Sequence, residues 1–190
     1  MKTVIISIKI FLFLTLLTGI VYPLLVTGIA QLMFREKANG SILYRSGRAI
    51  GSSLIAQNSD SSVWFTSRPS AIDYNPLPSG GSNLGLTSAR LKKMIFERQR
   101  EFIRFNQLDS TTGIPSEMLF ASASGLDPHI SPEAAMLQAG RIIRARHFTA
   151  TQQQKLIQGI RHLSEPPQFL CLGASRVNVL LLNLLTDSIR

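Results

Sequence analysis

Cysteine is nearly absent from this chain of 190 residues: Cys171 is the single one, which excludes an intramolecular disulfide and any Cys-x-x-Cys metal or redox pair. Set within Phe169-Leu170-Cys171-Leu172, it is expected to be a small buried hydrophobe. Histidine is scarce too. His129, His147 and His162 stand 18 and 15 residues apart, outside HExxH or Cys/His zinc spacing, so no metal site is expected. Charge is thin at 16%, against the quarter or so usual in a soluble domain, and what there is leans basic, with a net charge of +9. The densest basic stretch, Arg90, Lys92, Lys93, Arg98, Arg100 and Arg104, is interrupted by Glu97 and Glu101 and holds the aromatic Phe96. That pattern reads as a solvated helix face rather than a nucleic-acid platform, so no nucleic-acid partner is expected.

Long apolar runs, by contrast, are present. Residues 10–34 contain no charge, and about 20 helical residues suffice to cross a bilayer core. A signal peptide is the rival reading, since Lys2 and Lys9 make a basic start and Gly28-Ile29-Ala30 has small-x-small character. The run is well beyond the ~7–15 residues of a signal core, which favours an uncleaved transmembrane helix. Pro23 should free a carbonyl near Gly19, to be met by a neighbouring helix or by a hydroxyl such as Thr18. Thr18, Gly19, Pro23 and Gly28 are the residues expected to pack the anchor against partner helices. Cations flank both ends of the run, so charge alone leaves its orientation open.

The chain accordingly divides into a head (1–9), a transmembrane helix (10–34), a polar linker (35–40) and a globular part (41–190) large enough for a core of its own. Ser41–Tyr44, Ala49-Ile50 and Leu54–Gln57 read as short strands. Residues 69–85 are a loop by chemistry, rich in proline and glycine. Thr87 is the expected cap of a helix to about Phe105, with Leu91, Met94, Ile95, Phe102 and Ile103 as its apolar face. Ser131-Pro132-Glu133 opens a second helix to about Ala145 or Arg146, a third covers roughly Thr151 to Leu163, and the Val177–Leu185 run is a buried C-terminal helix. Two to four strands with four helices make an α+β fold.

Two segments could carry chemistry. Ser124, Asp127 and His129 bring together the residue types of a hydrolase, though without the Gly-x-Ser-x-Gly elbow; a turn leading to the capped helix is the plainer reading, with His129 bonded to backbone. Ser79-Gly80-Gly81-Ser82-Asn83-Leu84-Gly85 could cradle a phosphate on its N–H groups but lacks the Gly-Lys-Ser/Thr ending of a P-loop.

Taken in order, Tyr22-Pro23-Leu24, Ala38-Asn39-Gly40-Ser41, Ser67-Arg68-Pro69-Ser70-Ala71, Ser79–Gly85, Ser124–Ala135 and Val177-Asn178-Val179-Leu180 resemble the C subunit of Kdp-type potassium-transporting ATPases, nearly end to end. Departures fall at Ala56, Leu86 and Ala123, where the family favours Gly, Pro and Gly. The resemblance implies a bacterial inner-membrane, single-pass protein with a cytoplasmic N-terminus and one compact mixed α/β extracytoplasmic (periplasmic) domain. It implies a non-catalytic accessory subunit of an ATP-driven potassium uptake complex, partnered by a potassium-translocating subunit and a P-type ATPase subunit. Its implied role is to aid assembly and, as a catalytic chaperone, to raise the ATP affinity of the ATPase subunit. No tightly bound cofactor is implied, with ATP reached through the complex. Gln57, Ser79, Gly80, Gly81, Ser82, Asn83 and Gly85 are then candidates for nucleotide or partner contact, and Arg68, Asp127 and His129 for docking or a structural turn. A periplasmic domain cannot touch cytoplasmic ATP, so on that placement the effect is a coupling between sites. The alternative function is a membrane-tethered hydrolase using Ser124, Asp127 and His129.

Overall fold

The computed structural model describes residues 2–59, 61–169 and 171–189. They form two compact units, residues 1–52 and 53–190. In the first, α1 (Lys2–Leu16), a π-helical turn (Leu17–Val21) and α2 (Tyr22–Met33) run on as one apolar helix, Lys2–Met33, long and apolar enough to cross a membrane. The π turn is the answer to Pro23. Its ring removes an N–H from the α register, and the backbone widens just before it, with Tyr22 N–H donating to Leu17 O. Thr18 does not serve the carbonyl of Gly19, as expected above; its hydroxyl donates back to Leu14 O at 2.7 Å.

The helix ends at Phe34, and within the polar linker the chain makes one more helical turn, α3 (Arg35–Ala38). An antiparallel hairpin follows, β1 (Ile42–Arg45) with β2 (Arg48–Ser52). Its two-residue turn has Ser46 and Gly47 both at positive φ, the geometry that matches strand twist.

The second unit holds α4 (Ala89–Asn106), a 3₁₀ turn (Ser116–Met118), β3 (His129–Ile130), α5 (Pro132–Ala145), α6 (Ala150–His162), β4 (Ser164–Glu165), β5 (Arg176–Asn178) and α7 (Val179–Ser188). It is a mixed α/β fold, and each helix starts on a side-chain cap: Ser88, Ser131, Thr149 and Asn178 accept from the backbone three residues on. The cap of α4 is thus Ser88, one residue beyond the expected Thr87. The three short strands form an antiparallel sheet in the order β3-β5-β4. With the hairpin that makes five strands among the described residues, more than expected, and Leu54–Gln57 is not one of them. Leu54 and Ile55 are exposed, and Ala56 alone of that stretch is buried, its N–H donating to Leu126 O. Cys171 is exposed rather than buried, in the β4–β5 connection where Gln168 pairs with Leu172.

The core gathers Phe65, Phe102, Met118, Ile130, Ala134, Ala135, Ile142, Leu156, Ile160, Val177 and Leu182 around α5. Segment 61–67 passes through it without a strand partner, and its backbone groups are met by side chains instead. Arg141, 3% exposed, donates to the carbonyls of Ser61, Ser62 and Trp64, and Arg146 donates to that of Val63. Gln138 accepts from Thr66 N–H and donates to Thr66 O, and Asn183 does the same for Phe65. Both arginines lie over aromatic rings, Arg141 over Phe105 and Arg146 over Trp64. A buried backbone must be paired somewhere, and here two helices supply the partners.

Candidate functional site

This side-chain scaffold delivers the chain at Ser67 into the irregular segment 67–85, which, like segment 53–57, meets the 122–128 loop through its backbone. Ala56 N–H donates to Leu126 O, Ser122 N–H to Pro69 O and Gly80 N–H to Ser124 O. Gly125 sits at φ +71, where a Cβ would come within 2.9 Å of Gly80 O and 2.5 Å of the Ile72 side chain. A Cβ on Gly81 would lie 3.0 Å from Ala123 O. Two glycine-containing loops, far apart in sequence, therefore rest directly on each other's backbone. Gln57, exposed, follows Ala56 at the other edge of the 122–126 loop.

This contact bears on the phosphate cradle. Gly80 N–H is committed to Ser124, and Gly81 and Ser82 are half-buried against the opposing loop. Ser79, Asn83 and Gly85 remain on the surface, and Asn83 takes positive φ. The stretch is shaped as a docked loop with an exposed crest.

Beside it, Arg68, Asp127 and His129 come together. Arg68 Nη1 donates to Asp127 Oδ2 at 2.9 Å, while Asp127 Oδ1 accepts from His129 N–H at 3.0 Å and lies 3.4 Å from His129 Nδ1. His129 therefore leans on a carboxylate, not on the backbone as expected. Tyr74 Oη donates to Arg68 O, and Ser70 Oγ accepts from the N–H groups of Ile72 and Tyr74, pinning the 68–75 turn. Burial pushes the Asp127 carboxyl up, but hydrogen bonds from the His129 side chain and backbone and from Arg68, with the Arg68 charge, outweigh it and hold the group at about 2. Among the described residues Arg68 Nε is buried without an acceptor. Leu54, Ile55, Ser122, Ala123, Ser124, Leu126 and Pro128 complete a shallow depression around this ion pair, of about 520 Å³.

A hydrolytic triad is not assembled. Ser124 Oγ accepts from Leu126 N–H at 3.1 Å, and among the described residues no hydrogen bond joins Ser124 to His129. No cluster of three metal-ligating side chains occurs among the described residues. In the apolar helix, a Cβ on Gly19 or Gly28 would meet nothing within 4 Å, so both leave an open notch on its surface. Sequence reasoning missed Gln138, Arg141 and Asn183, which hold the segment leading into the site. The signal was available: Gln138 and Arg141 fall on the same helical stripe as Ala134, Ala135 and Ile142, where a solvated face would not place them.

Comparison with known proteins now completes this picture. The sequence profile of the family KdpC, "K+-transporting ATPase, c chain", matches residues 4–188. The potassium-transporting ATPase KdpC subunit of Pectobacterium atrosepticum is 45% identical over 184 residues, covering 95% of this chain and 94% of the relative. That of Photorhabdus laumondii is 44% identical over 187 residues (96% and 94%), and that of Geobacter metallireducens 46% over 177 (91% and 90%). With a profile match over residues 4–188 and relatives of this identity, the chain belongs to the KdpC family and is an accessory subunit of the K+-transporting ATPase complex, not itself its catalyst.

Proposed function

We propose that this subunit lies in the bacterial inner membrane with a single pass, its N-terminus cytoplasmic and its globular unit periplasmic, beside a potassium-translocating subunit and a P-type ATPase subunit. There it aids assembly and acts as a catalytic chaperone, raising the ATP affinity of the ATPase subunit. The observation that carries this reading is the locked pair of loops, Ser79–Gly85 on Ser122–Gly125, with the Arg68–Asp127 ion pair alongside. It is a surface pre-shaped to dock, whose polar groups are largely satisfied within the chain, rather than an open reaction centre. The anchor notches at Gly19 and Gly28, with Thr18 and Pro23 between and beside them, suit the close approach of a partner helix. Gln57 and the crest residues Ser79, Asn83 and Gly85 are the candidate partner contacts.

With the domain on the periplasmic side, ATP affinity changes through the complex: whichever ATPase conformation binds this subunit more tightly is also the one that binds nucleotide more tightly, and linkage makes the effect mutual. The test is the ATP dependence of potassium-stimulated hydrolysis by the complex assembled with the native chain and with Arg68→Ala/Asp127→Ala. The reading expects assembly to weaken or the KM for ATP to rise, with no activity from the isolated chain. A complex that assembles and hydrolyses ATP identically with the variant removes this site from the account.

A further inference from the structure

The segment that carries Arg68 serves two sites. Arg68 lines the depression around Asp127, whereas Ser67 and Pro69 on either side of it line a second cavity of about 310 Å³, which shares no residue with the first. Its apolar walls come from α4 and the 3₁₀ turn. Phe102 and Met118 are buried, and Phe105 has the Arg141 guanidinium 4.2 Å from its ring centre, so this surface is fixed in place. A cavity of this size holds a small organic ligand, and aromatic walls with a few convergent polar groups are what such sites are made of.

The polar groups that line it are donors, most of them unspent. Thr66 is the exception, its hydroxyl donating to Gln138 Oε1. Ser67 is only 6% exposed, yet among the described residues its hydroxyl makes no hydrogen bond. Ser70 Oγ accepts from the N–H groups of Ile72 and Tyr74, which leaves its own proton without an acceptor among the described residues. Arg98 spends Nη1 on Leu119 O at 2.9 Å and forms no ion pair with any described residue. Burial lowers its pKa, with Tyr74 acting against the shift, as expected for a cation drawn out of water without a counter-ion. Glu101, one turn along α4 from Arg98 and exposed, is the one carboxylate among the described residues that line the cavity.

We propose that this cavity binds a small monoanionic carboxylate with an aromatic or branched apolar body, its oxygens taken by Arg98, Ser67 and Ser70 and its body held between Phe102, Phe105 and Met118. Unspent donors call for an acceptor, the uncompensated guanidinium calls for a negative one, and its planar fork matches a carboxylate. Glu101 selects against a second negative charge, because like charges repel strongly at a half-buried site, so phosphate monoesters and nucleotides are disfavoured. Since Ser67 and Ser70 flank Arg68 in the chain, an occupant ties α4 to the turn that holds the Arg68–Asp127 pair and so bears on the docking surface.

The test uses the full-length chain in phosphatidylcholine nanodiscs, titrated with 3-phenylpropionate, its neutral amide and phenyl phosphate. Binding is read by saturation-transfer NMR of the ligand against empty nanodiscs. 3-Phenylpropionate is expected to bind at about 1 mM or tighter, as its size allows, and more tightly than the amide or the phosphate. Ser67→Ala breaks no hydrogen bond of the Ser67 side chain to a described residue and should weaken binding on the order of tenfold. Arg98→Gln should weaken it further and remove the preference for acid over amide. No saturable binding of 3-phenylpropionate, equal binding of acid and amide by the native chain, or undiminished binding in either variant overturns the proposal. So does tighter binding of phenyl phosphate than of the acid. Binding of a tetrapeptide ending in phenylalanine without binding of 3-phenylpropionate would assign the cavity to a polypeptide C-terminus and overturn the small-ligand assignment.

Discussion

Asn183 holds Phe65 by both of its backbone groups: its Oδ1 accepts from Phe65 N–H at 2.8 Å and its Nδ2 donates to Phe65 O at 3.0 Å. One residue on, Gln138 repeats the arrangement with Thr66. Two amide side chains thereby do for segment 61–67 what a neighbouring strand does in a sheet. Because Phe65 is fully buried, neither group can turn to water when its partner is removed. Asn183→Leu keeps the volume and strands both groups, so it should cost about 2–5 kcal/mol. Chemical denaturation of the detergent-solubilised chain measures this, and a loss below about 0.5 kcal/mol would show that the pairing is dispensable.

Arg141 carries a heavier share of the same segment. It is buried, bonded to three carbonyls, to Asn106 Oδ1 and to Gln138, and burial lowers its pKa to about 10. Lysine keeps the charge but has neither the planar fork nor its spread of donors. Arg141→Lys should therefore destabilise by about 3 kcal/mol or more, leaving carbonyls unmet around a buried ammonium. Thermal unfolding of the two proteins side by side decides it; equal midpoints would mean that the network is not specific to guanidinium.

The loop contact makes an ordered prediction. At Gly125 an added Cβ meets both a positive φ and the Gly80 carbonyl, whereas at Gly81 the conflict is a single close approach to Ala123 O. Gly125→Ala should cost about 1–3 kcal/mol, and Gly81→Ala less. A reversed order in denaturant midpoints would contradict the geometry described for these loops.

Asp127 predicts a pH dependence. Its carboxyl sits at about 2 in the folded chain against 3.8 for an unperturbed group. A depressed acid binds its proton more tightly when unfolded, so its stabilisation is present in full above about pH 4 and is lost as pH falls toward 2. The side chain is 30% exposed, so about 2 kcal/mol is an upper figure. Asp127→Asn should be less stable than the native chain at neutral pH, and the gap should close on acidification. Parallel melting curves across the whole range would exclude the effect.

Much of this architecture was legible in the sequence because its signals are local. The cap at Ser131, the apolar stripe of α4 and the charge-free run at 10–34 each specify an element by local signals. The hairpin was legible too, since Ser41–Tyr44 and Ala49-Ile50 fall on β1 and β2, but the strands of the second sheet were not, for the opposite reason. β3 and β4 are two residues long and exist through pairing with β5, so no alternation has room to show, while Leu54–Gln57 has strand-like composition but forms no strand. The approach of Ser79–Gly85 to Ser122–Gly125 is likewise tertiary: the first loop looked glycine-rich by itself, and the need for glycine at 81 and 125 lies in the other loop. Arg141 was hidden by its type, since a cation on a helix reads as solvent-facing until its acceptors are seen to be carbonyls.

The central claim is that this subunit acts on ATP affinity from the far side of the membrane, through the complex. Fusing a reporter active only in the periplasm after Arg190, beside a matched fusion active only in the cytosol, tests it most directly. The account predicts a periplasmic signal, which excludes contact of Gln57 and Ser79–Gly85 with cytoplasmic ATP and leaves docking and long-range coupling as their role. A cytosolic signal would contradict it and turn the crest of that loop into a direct nucleotide contact.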